Sequence, residues 1–316
     1  MRWDDKKVLI TGINGFIGSN LAKRLLDLNA DVIGVDNFEY SNKIWLNEIS
    51  NKISFFEADV SKNADLEKLK NLDIDFIFHF GSPSSSILFN RFPKKCFMKT
   101  IEGMKNVLDL SKAINVRKIV FPSSGSVYGI EFTKISNLNM QDMRKVNLYA
   151  LAKIACESLA ISYAEINWIG LRIFTGYGPR EEKKEGYASV VYTFIKCIME
   201  GKSPIIYGDG SQTRDFIYID NIVDAILKSA EINFNGIIDI GTGEEISFSQ
   251  LVDLIQKIVA KEIKPVYKAT ENVYAENIKA NTILMKKILE IEPKKVDEGI
   301  KNFVHYLENK PEVVKR

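Results

Sequence analysis

The chain has 316 residues, enough to bury the core of one large domain or of a nucleotide-binding domain with a smaller partner. Hydrophobic residues make up 46% and charged residues 27%, and the net charge of +2 gives no reason to expect a nucleic-acid partner. No apolar stretch reaches the roughly 20 residues that a membrane span needs, so no membrane partner is expected. The charged N-terminus is unlike a secretion signal.

Cysteine and histidine usage favours a reducing compartment without a metal site. The three cysteines, Cys96, Cys156 and Cys197, have neither metal-ligand spacing nor the even count of a disulfide framework. Only two histidines are present. We therefore expect a cytoplasmic protein whose side chains form no nitrogen or sulfur metal centre.

The first predicted strand, near residues 7–12, leads through Gly12, Gly15 and Gly18 into an amphipathic helix near residues 15–29. The first glycine permits a tight turn, the second lets backbone amides approach a pyrophosphate, and the third lets the helix pack on the strand. A helix N-terminus also favours an anion. Surface turns produce glycine clusters too, so the surrounding sequence has to decide.

The second predicted strand, near residues 31–36, supplies that context. It ends in Asp36, eighteen positions after Gly18, where a carboxylate can bind both hydroxyls of the adenosine ribose. Asp36 would repel a 2′-phosphate, and no arginine follows it. The sequence therefore predicts a dinucleotide site that binds NAD rather than NADP.

Short apolar runs and amphipathic segments continue to alternate up to about residue 175. Further strands are predicted near residues 53–57, 74–80, 116–122 and 168–174, and helices near residues 64–70, 94–114 and 147–166. This alternation is typical of an α/β protein with a Rossmann-type, doubly wound parallel sheet. We expect an NAD-binding domain over residues 1–175. Residues 176–316 are expected to form a smaller α/β substrate-binding lobe, with some segments returning to the large domain.

The fifth strand ends in a run of hydroxyl residues that includes Ser124, at the sheet edge where ligands bind in such folds. Some twenty residues later come Tyr149 and Lys153, whose spacing of four places a phenol and an ammonium on one face of a helix. A phenol with a pKa near 10 is a poor base at neutral pH, but an adjacent cation favours the phenolate. Tyr149 and Lys153 are the predicted catalytic pair, and the hydroxyl cluster that includes Ser124 can face the cofactor.

The same spacing occurs twice more, so spacing alone does not identify a catalytic pair. Tyr192 with Lys196 and Tyr306 with Lys310 lie far beyond the predicted parallel sheet. No hydroxyl-rich strand end precedes either pair. We therefore expect Tyr192 and Tyr306 to be packing or surface residues.

Taken together, the motifs resemble those of the extended short-chain dehydrogenase/reductase family, in particular its nucleotide-sugar epimerases and dehydratases. The resemblance covers nearly the whole chain. The motifs are Thr11-Gly12-x-x-Gly15-Phe16-Ile17-Gly18, Asp59-Val60, the segment from Ser123 to Gly129, Tyr149-x-x-x-Lys153, the segment from Leu171 to Arg180, and the segment from Tyr207 to Phe216.

The resemblance implies a cofactor site and a substrate site. It implies that Arg214 binds the diphosphate of a nucleotide-sugar, that Asp59 and Val60 meet the adenine, and that Lys153 also holds the nicotinamide ribose. The further cofactor-binding residues are Gly12, Asn14, Gly15, Phe16, Ile17, Gly18, Asp36, Asn37, Phe80, Gly81, Ser82 and Tyr149. The further substrate-binding residues are Ser84, Ser124, Gly125, Ser126, Thr175, Val190 and Tyr207.

The expected reaction is hydride transfer from C4 of a nucleotide-sugar to NAD, with Tyr149 removing the hydroxyl proton. Ser124 would share the proton path and polarise the developing carbonyl. A 4-epimerase, which returns the hydride, is the favoured outcome, and a nucleotide-sugar or nucleotide-heptose 4-dehydrogenase is the alternative. A 4,6-dehydratase is disfavoured, because Gly125 and Ser126 stand where that group carries an acidic pair. Retention of Tyr149, Lys153 and Ser124 argues against a non-enzymatic NAD-binding relative.

Several positions depart from the family pattern. The segment before Tyr149 lacks the usual proline, so the loop over residues 130–147 is expected to differ. Serines replace small apolar residues over residues 82–86. They are expected either to anchor a phosphate or a sugar, or to form a hydroxyl-rich turn. Thr175 replaces a common asparagine, and no second diphosphate-binding arginine occurs near residues 270–280. The nucleotide is therefore left open. The resemblance also implies a homodimer that pairs through the helices near residues 94–114 and 147–166.

Overall fold

The computed structural model describes residues 1–41, 43–129, 147–182, 184, 186–269 and 278–309. Its centre is a seven-stranded, fully parallel sheet in the order β3-β2-β1-β4-β5-β6-β11. The strands are β1 (Lys7–Thr11), β2 (Asp31–Asp36), β3 (Ser54–Glu57), β4 (Phe76–His79), β5 (Lys118–Ser124), β6 (Trp168–Ile173) and β11 (Gly236–Ile240). The α/β class and the doubly wound parallel sheet expected from the sequence are confirmed.

Helices cover both faces of this sheet. The helices of the N-terminal half are α1 (Phe16–Asp27), α2 (Ile44–Ile49), α3 (Asn63–Leu66), α4 (Ser86–Arg91), α5 (Pro93–Ala113) and α6 (Leu148–Ser162). Alternate residues of β1 show the two faces: Val8 and Ile10 pack in one apolar cluster, and Leu9 packs in the other. Because side chains alternate along a strand, a run that is apolar throughout is buried on both sides.

In the described part of the C-terminal half, short sheets and four α-helices lie beside the large sheet. The helices are α7 (Val190–Met199), α8 (Ile219–Glu231), α9 (Phe248–Val259) and α10 (Val296–Glu308). The short strands are β7 (Thr175–Tyr177), β8 (Ile205–Tyr207), β9 (Thr213–Arg214), β10 (Phe216–Tyr218), β12 (Ile246–Ser247) and β13 (Val266–Lys268). They pair as β7 with β10, β9 with β12, and β8 with β13.

The sequence predicted six strands of the large sheet, and the structure has a seventh. This strand, β11, follows α8 and pairs in parallel with β6, Gly236 lying opposite Ile169. Periodicity places an apolar run on a strand but does not say which sheet the strand joins, since pairing joins residues distant in the chain. The division into a cofactor domain over residues 1–175 and a substrate lobe over residues 176–316 stays a prediction.

Three further expectations concern segments or groups outside this sheet. Within the described residues, no helix is long and apolar enough to span a bilayer. Cys96 and Cys156 are buried free thiols, and Cys197 is partly buried. The predicted departure over residues 130–147 and the missing arginine near residues 270–280 fall mostly outside the described residues.

Candidate functional site

A cleft of about 1130 Å³ opens at the carboxyl ends of the parallel strands. This is the edge at which ligands bind in open α/β sheets. Its lining contains twenty-one of the residues singled out from the sequence, and it leaves out Asn14 and Tyr207. The lining residues are Gly12, Gly15, Phe16, Ile17, Gly18, Asp36, Asn37, Asp59, Val60, Phe80, Gly81, Ser82, Ser84, Ser124, Gly125, Ser126, Tyr149, Lys153, Thr175, Val190 and Arg214.

The glycine turn fits a pyrophosphate. Gly12 has φ +68°, and a Cβ there would meet the Phe80 backbone at 2.6 Å. A Cβ on Gly18 would lie 2.2 Å from the Gly12 carbonyl oxygen, so the helix can approach the strand only without one. Gly15 is the N-cap of α1, and within the described residues neither a capping side chain nor an acidic first-turn residue is present there. The first amides of α1 are therefore available to an anion.

Asp36 organises the end of the cleft at which the sequence predicts the adenosine. Its carboxylate accepts hydrogen bonds from the backbone N–H of Asn14 at 3.0 Å and of Phe38 at 2.9 Å, and from the Ser41 hydroxyl at 3.0 Å. The Asn14 side-chain oxygen in turn accepts from the Leu46 N–H at 2.7 Å. Asn14 thus lies behind the cleft wall and fastens α2 to the glycine turn.

An ion-pair cluster beside Asp36 was not predicted from the sequence. Lys99 of α5 pairs with Asp59 at 2.6 Å and also with Glu39, and Lys95 pairs with Glu39 at 2.6 Å. Burial raises the pKa of Asp59, but hydrogen bonds from Lys99 and Ser61 outweigh it and lower that pKa to about 2. Sixty residues of sequence separate Lys99 from Glu39, so no short-range sequence pattern could predict the contact.

The catalytic end of the cleft brings the predicted tyrosine and lysine together. The Lys153 ammonium lies 5.7 Å from the centroid of the Tyr149 ring. Lys153 is 3% exposed, and it donates to the Pro122 carbonyl at 3.1 Å and the Ser82 hydroxyl at 3.4 Å. Asn147 caps α6 through its side-chain oxygen, which accepts from the N–H groups of Tyr149 and Ala150. This cap and the buried ammonium fix the orientation of the helix that carries the pair.

Ser124 lies at the end of β5, in the wall of the same cleft. Its hydroxyl accepts a hydrogen bond from the Ser126 N–H at 3.1 Å, which starts the turn after the strand. A Cβ on Gly125 would lie 2.9 Å from the Phe174 ring, so the turn packs closely against the next strand. Ser124 and Tyr149 therefore line the same cleft.

His79 lies behind Lys153, and burial together with the nearby Lys153 charge lowers its pKa to about 3. The neutral ring shares a hydrogen bond of 2.8 Å between Nδ1 and the Thr11 hydroxyl. It therefore adds no charge next to Lys153 at physiological pH.

A polar network beneath Ser124 is the main feature that sequence reasoning missed. Glu157 of α6 accepts two hydrogen bonds of 2.8 Å from Arg172 of β6 and one from the Ser123 hydroxyl. Arg172 also donates to Tyr128 at 3.0 Å. A signal was available, because Glu157 follows Lys153 by four residues and so shares its helix face.

The substrate end of the cleft is built from elements of the C-terminal half. Arg214 lies on β9 and donates to the Thr213 carbonyl at 2.6 Å, with its guanidinium 5.8 Å from the centroid of Phe248. The neighbouring Asp215 is fully buried and accepts hydrogen bonds from Thr242, Gly243 and Ala280. One buried carboxylate therefore holds this turn by accepting three backbone N–H groups and a hydroxyl.

Tyr207, a predicted substrate residue, lies on β8 and is 48% exposed outside the cleft lining. Glu181 and Lys184, which were not predicted, do line the cleft. Burial raises the pKa of the Glu181 carboxyl, which accepts hydrogen bonds from the Ser189 N–H at 2.8 Å and its hydroxyl at 2.7 Å. The Lys184 ammonium lies 4.3 Å from the centroid of Phe16.

The serine run over residues 82–86 divides into different roles. Ser82 accepts from Lys153, and the Ser85 hydroxyl caps α4 by accepting from the Leu88 N–H at 3.2 Å. Ser84 and Ser86 line the cleft, and their hydroxyls have no hydrogen-bond partner among the described residues. The run is thus partly a turn and partly a source of free hydroxyls.

The two other tyrosines with the same spacing lie outside the cleft lining. Tyr192 stacks on Phe303 at 6.1 Å between ring centroids. Tyr306 also packs on Phe303, at 6.3 Å between ring centroids, and donates to Glu182 at 3.0 Å. Both are packing residues in the C-terminal half.

A glycine turn at a helix N-terminus, an acidic residue ending the second strand and a tyrosine–lysine helix define a dinucleotide-dependent enzyme of the Rossmann type. Residues 8–241 match the model of the NAD dependent epimerase/dehydratase family, and the chain belongs to that family. The family, the class of NAD-dependent nucleotide-sugar epimerases and NAD as the cofactor, all expected from the sequence, are confirmed.

Curated relatives and solved structures match almost the whole chain. A UDP-glucuronate 4-epimerase of Thermodesulfobacterium geofontis is 28% identical over 97% of this chain and 98% of its own length. The structure of the UDP-glucose 4-epimerase of Thermotoga maritima with UDP-glucose is 28% identical, has a TM-score of 0.86, and covers 96% of this chain and 98% of that one. A UDP-glucuronic acid 4-epimerase of Bacillus cereus, with UDP-glucuronic acid and NAD, is 27% identical with a TM-score of 0.79, covering 96% and 99%.

Proposed function

We propose that this protein inverts the configuration at C4 of a nucleotide-diphosphate sugar. The observation that carries the proposal is the convergence of Tyr149, Lys153 and Ser124 on one cleft with the glycine turn. NAD supplies a hydride acceptor when it is bound. Tyr149 takes the proton of the C4 hydroxyl, and Ser124 donates a hydrogen bond to the oxygen as its carbonyl develops.

Lys153 acts on the same proton by electrostatics. Its buried ammonium faces the phenol ring and is held by the Pro122 carbonyl. A cation in such a partly water-excluded site stabilises the negative charge that develops as the proton leaves the sugar hydroxyl. The 4-keto sugar is then turned and reduced from its other face, with Tyr149 giving back the proton.

The free hydroxyls of the cleft support a sugar that accepts several hydrogen bonds. The side chains of Ser84, Ser86, Ser126 and Thr175 line the cleft and have no hydrogen-bond partner among the described residues. A carboxylate is an acceptor only and can take several such donors. Two of the epimerases described above are named for glucuronate or glucuronic acid. We therefore propose a nucleotide-hexuronate as the first substrate to test.

The test is incubation of the protein with UDP-, GDP-, dTDP- and CDP-sugars, UDP-glucuronate and UDP-glucose among them, with products identified by NMR. A 4-epimerase gives the C4 epimer and no lasting absorbance at 340 nm. Lasting NADH absorbance with a released keto sugar would instead establish the alternative, a 4-dehydrogenase. Loss of the C6 carbon or elimination of water would contradict the proposal.

We also propose a cytoplasmic homodimer that pairs through α5 and α6. Both helices pack on the sheet by one side, and their outer side carries exposed apolar residues. Met98 on α5 is 45% exposed and Ile161 on α6 is 66% exposed. A symmetric pair would remove this apolar surface from water. The three free thiols fit a reducing compartment.

A further inference from the structure

Arg180 connects the turn after β7 to the cofactor half of the cleft. Its side chain is 7% exposed and donates to the Glu48 carboxylate at 2.6 Å. The guanidinium carbon lies 4.8 Å from the centroid of the Trp45 ring. Glu48 and the buried Trp45 both belong to α2, so one side chain makes an ion pair and a cation–π contact with a single helix.

This contact is kept at a cost in free energy. Arg180 has φ +75°, a left-handed conformation that strains a residue with a side chain. One terminal guanidinium nitrogen, Nη1, is buried and has no hydrogen-bond partner among the described residues. Both features lower the stability of the folded protein. They indicate that the Arg180 contact serves to position the segments it joins.

On one side, α2 is fastened to the cofactor site. The Leu46 N–H at the start of α2 donates to the Asn14 side chain at 2.7 Å, and the Asn14 N–H donates to Asp36 at 3.0 Å. Asp36 is the residue expected to hold the adenosine ribose. Arg180 therefore joins a chain of direct contacts that begins at Asp36, in the predicted cofactor site.

On the other side, the turn reaches the substrate end. Glu181 follows Arg180 directly, is fully buried, and accepts from both the N–H and the hydroxyl of Ser189. Ser189 caps α7, and Ser189 and Val190 line the cleft. A second anchor holds the turn itself, because Asn20 of α1 donates to the Pro179 carbonyl at 3.0 Å.

We propose that Arg180 is a positioning residue that couples the two halves of the cleft, so that bound NAD strengthens binding of the nucleoside diphosphate part of the substrate. The inference rests on the proposed function, because it needs a nucleotide-sugar at the substrate end. NAD bound at Asp36 orders α2. The Glu48–Arg180 ion pair connects α2 to the turn whose Glu181 holds Ser189. Since coupling between two ligands is reciprocal, the nucleotide must also retain NAD.

The test uses the NAD-saturated protein with UDP as the probe, and calorimetry measures the dissociation constant. Glu48→Gln and Arg180→Gln are each expected to weaken UDP binding about fivefold, and the double variant no more than either single one. Arg180→Lys, which keeps the charge, should fall between these and the wild type. In turnover, KM should rise by a similar factor and kcat change less than twofold. A merely structural role would instead lower the amount of folded enzyme and leave KM unchanged.

Reciprocity supplies a second readout: UDP should slow the loss of NAD during dialysis of the wild type but not of Glu48→Gln. Arg24→Gln is the matched control, because it removes an Arg–Asp pair of 2.7 Å between α1 and α8 outside the cleft lining. It should change neither measurement. UDP binding as tight in Glu48→Gln as in the wild type, or additive effects in the double variant, would overturn this inference but not the proposed function. A wild type that binds no nucleoside diphosphate and converts no nucleotide-sugar would overturn the proposed function and the inference with it.

Discussion

Glu157 and Arg172 form a two-bond ion pair directly beneath the catalytic end of the cleft, with both N···O distances at 2.8 Å. Glu157 is 6% exposed and lies one helical turn beyond Lys153. The pair fixes α6, which carries Tyr149 and Lys153, against β6 of the large sheet. The position of the catalytic helix thus depends on a contact that touches no reacting atom.

Removing the carboxylate of Glu157 should therefore destabilise the protein strongly. Glu157→Ala leaves the Arg172 guanidinium and the Ser123 hydroxyl without their partner, at a cost of about 3 kcal/mol in the free energy of unfolding. Asp27→Asn is the control, since it breaks an exposed ion pair with Lys23 that contributes less than about 0.5 kcal/mol. Urea denaturation measures both, and equal losses in the two variants would contradict the role assigned to Glu157.

Tyr149→Phe tests the proton acceptor. Loss of the phenol hydroxyl should reduce turnover by at least about 10²-fold, because general base catalysis contributes on the order of 10² to 10⁴. The bound NAD should remain, since the glycine turn and Asp36 are untouched. Tyr192→Phe is the control, as this tyrosine has the same spacing to a lysine but packs on Phe303. Near-normal activity of Tyr149→Phe would remove this residue as the base.

Asp36 is expected to set the cofactor preference. Asp36→Asn removes the charge that would repel a 2′-phosphate, so the preference for NAD over NADP should fall by about tenfold, as measured by the ratio of dissociation constants. Asp31→Asn, at the exposed start of the same strand, should leave the ratio unchanged. An unaltered ratio in Asp36→Asn would show that another feature excludes NADP.

Asp59 should contribute to stability only when it is ionised. Its folded-state pKa of about 2 lies below the unfolded value of about 3.9, so the contribution is complete above about pH 4 and is lost as the pH falls towards 2. The stability difference between the wild type and Asp59→Asn should therefore shrink over this window. Thermal denaturation of both proteins between pH 6 and pH 2 gives the difference, and a constant offset would contradict the ion pair with Lys99.

The proposed dimer makes a prediction about exposed apolar residues. Ile161→Glu places a charge on the outer side of α6 and should convert the protein to a monomer in sedimentation velocity. Ile283→Glu is the control, because Ile283 is 67% exposed but lies in the C-terminal half. A wild type that already sediments as a monomer, or a dimeric Ile161→Glu, would exclude this interface.

Local patterns were sufficient for the large elements of the fold. Glycine spacing, apolar periodicity and the acidic end of the second strand predicted α1 and the six strands from β1 to β6 near their observed positions, because strand and helix periods are properties of consecutive residues. They also placed Tyr149 and Lys153 on one helix face. The place of β11 in the large sheet was not predicted, since β11 pairs with a strand more than sixty residues earlier.

The contacts that join distant segments could not be predicted from the sequence, for the same reason. Glu39 with Lys99 and Arg180 with Glu48 are separated by 60 and 132 residues, and no spacing rule links such pairs. Asn14 was predicted to touch the cofactor because it lies inside the glycine motif; its side-chain oxygen accepts from the Leu46 N–H of α2, and its contact with the cofactor stays a prediction. Tyr207 was likewise carried over from a motif and lies outside the cleft lining.

The sequence by itself determined the parallel fold, the family and NAD as the cofactor, and it predicted the tyrosine–lysine pair, because each depends on residue types at short, fixed spacings. Only the tertiary structure decided what surrounds that pair: the neutral His79, the Glu157–Arg172 ion pair and the Arg180 contact between the two halves of the cleft. The physical reason is that charge and burial at a site depend on which segments fold against each other, and short-range spacing does not record those distances.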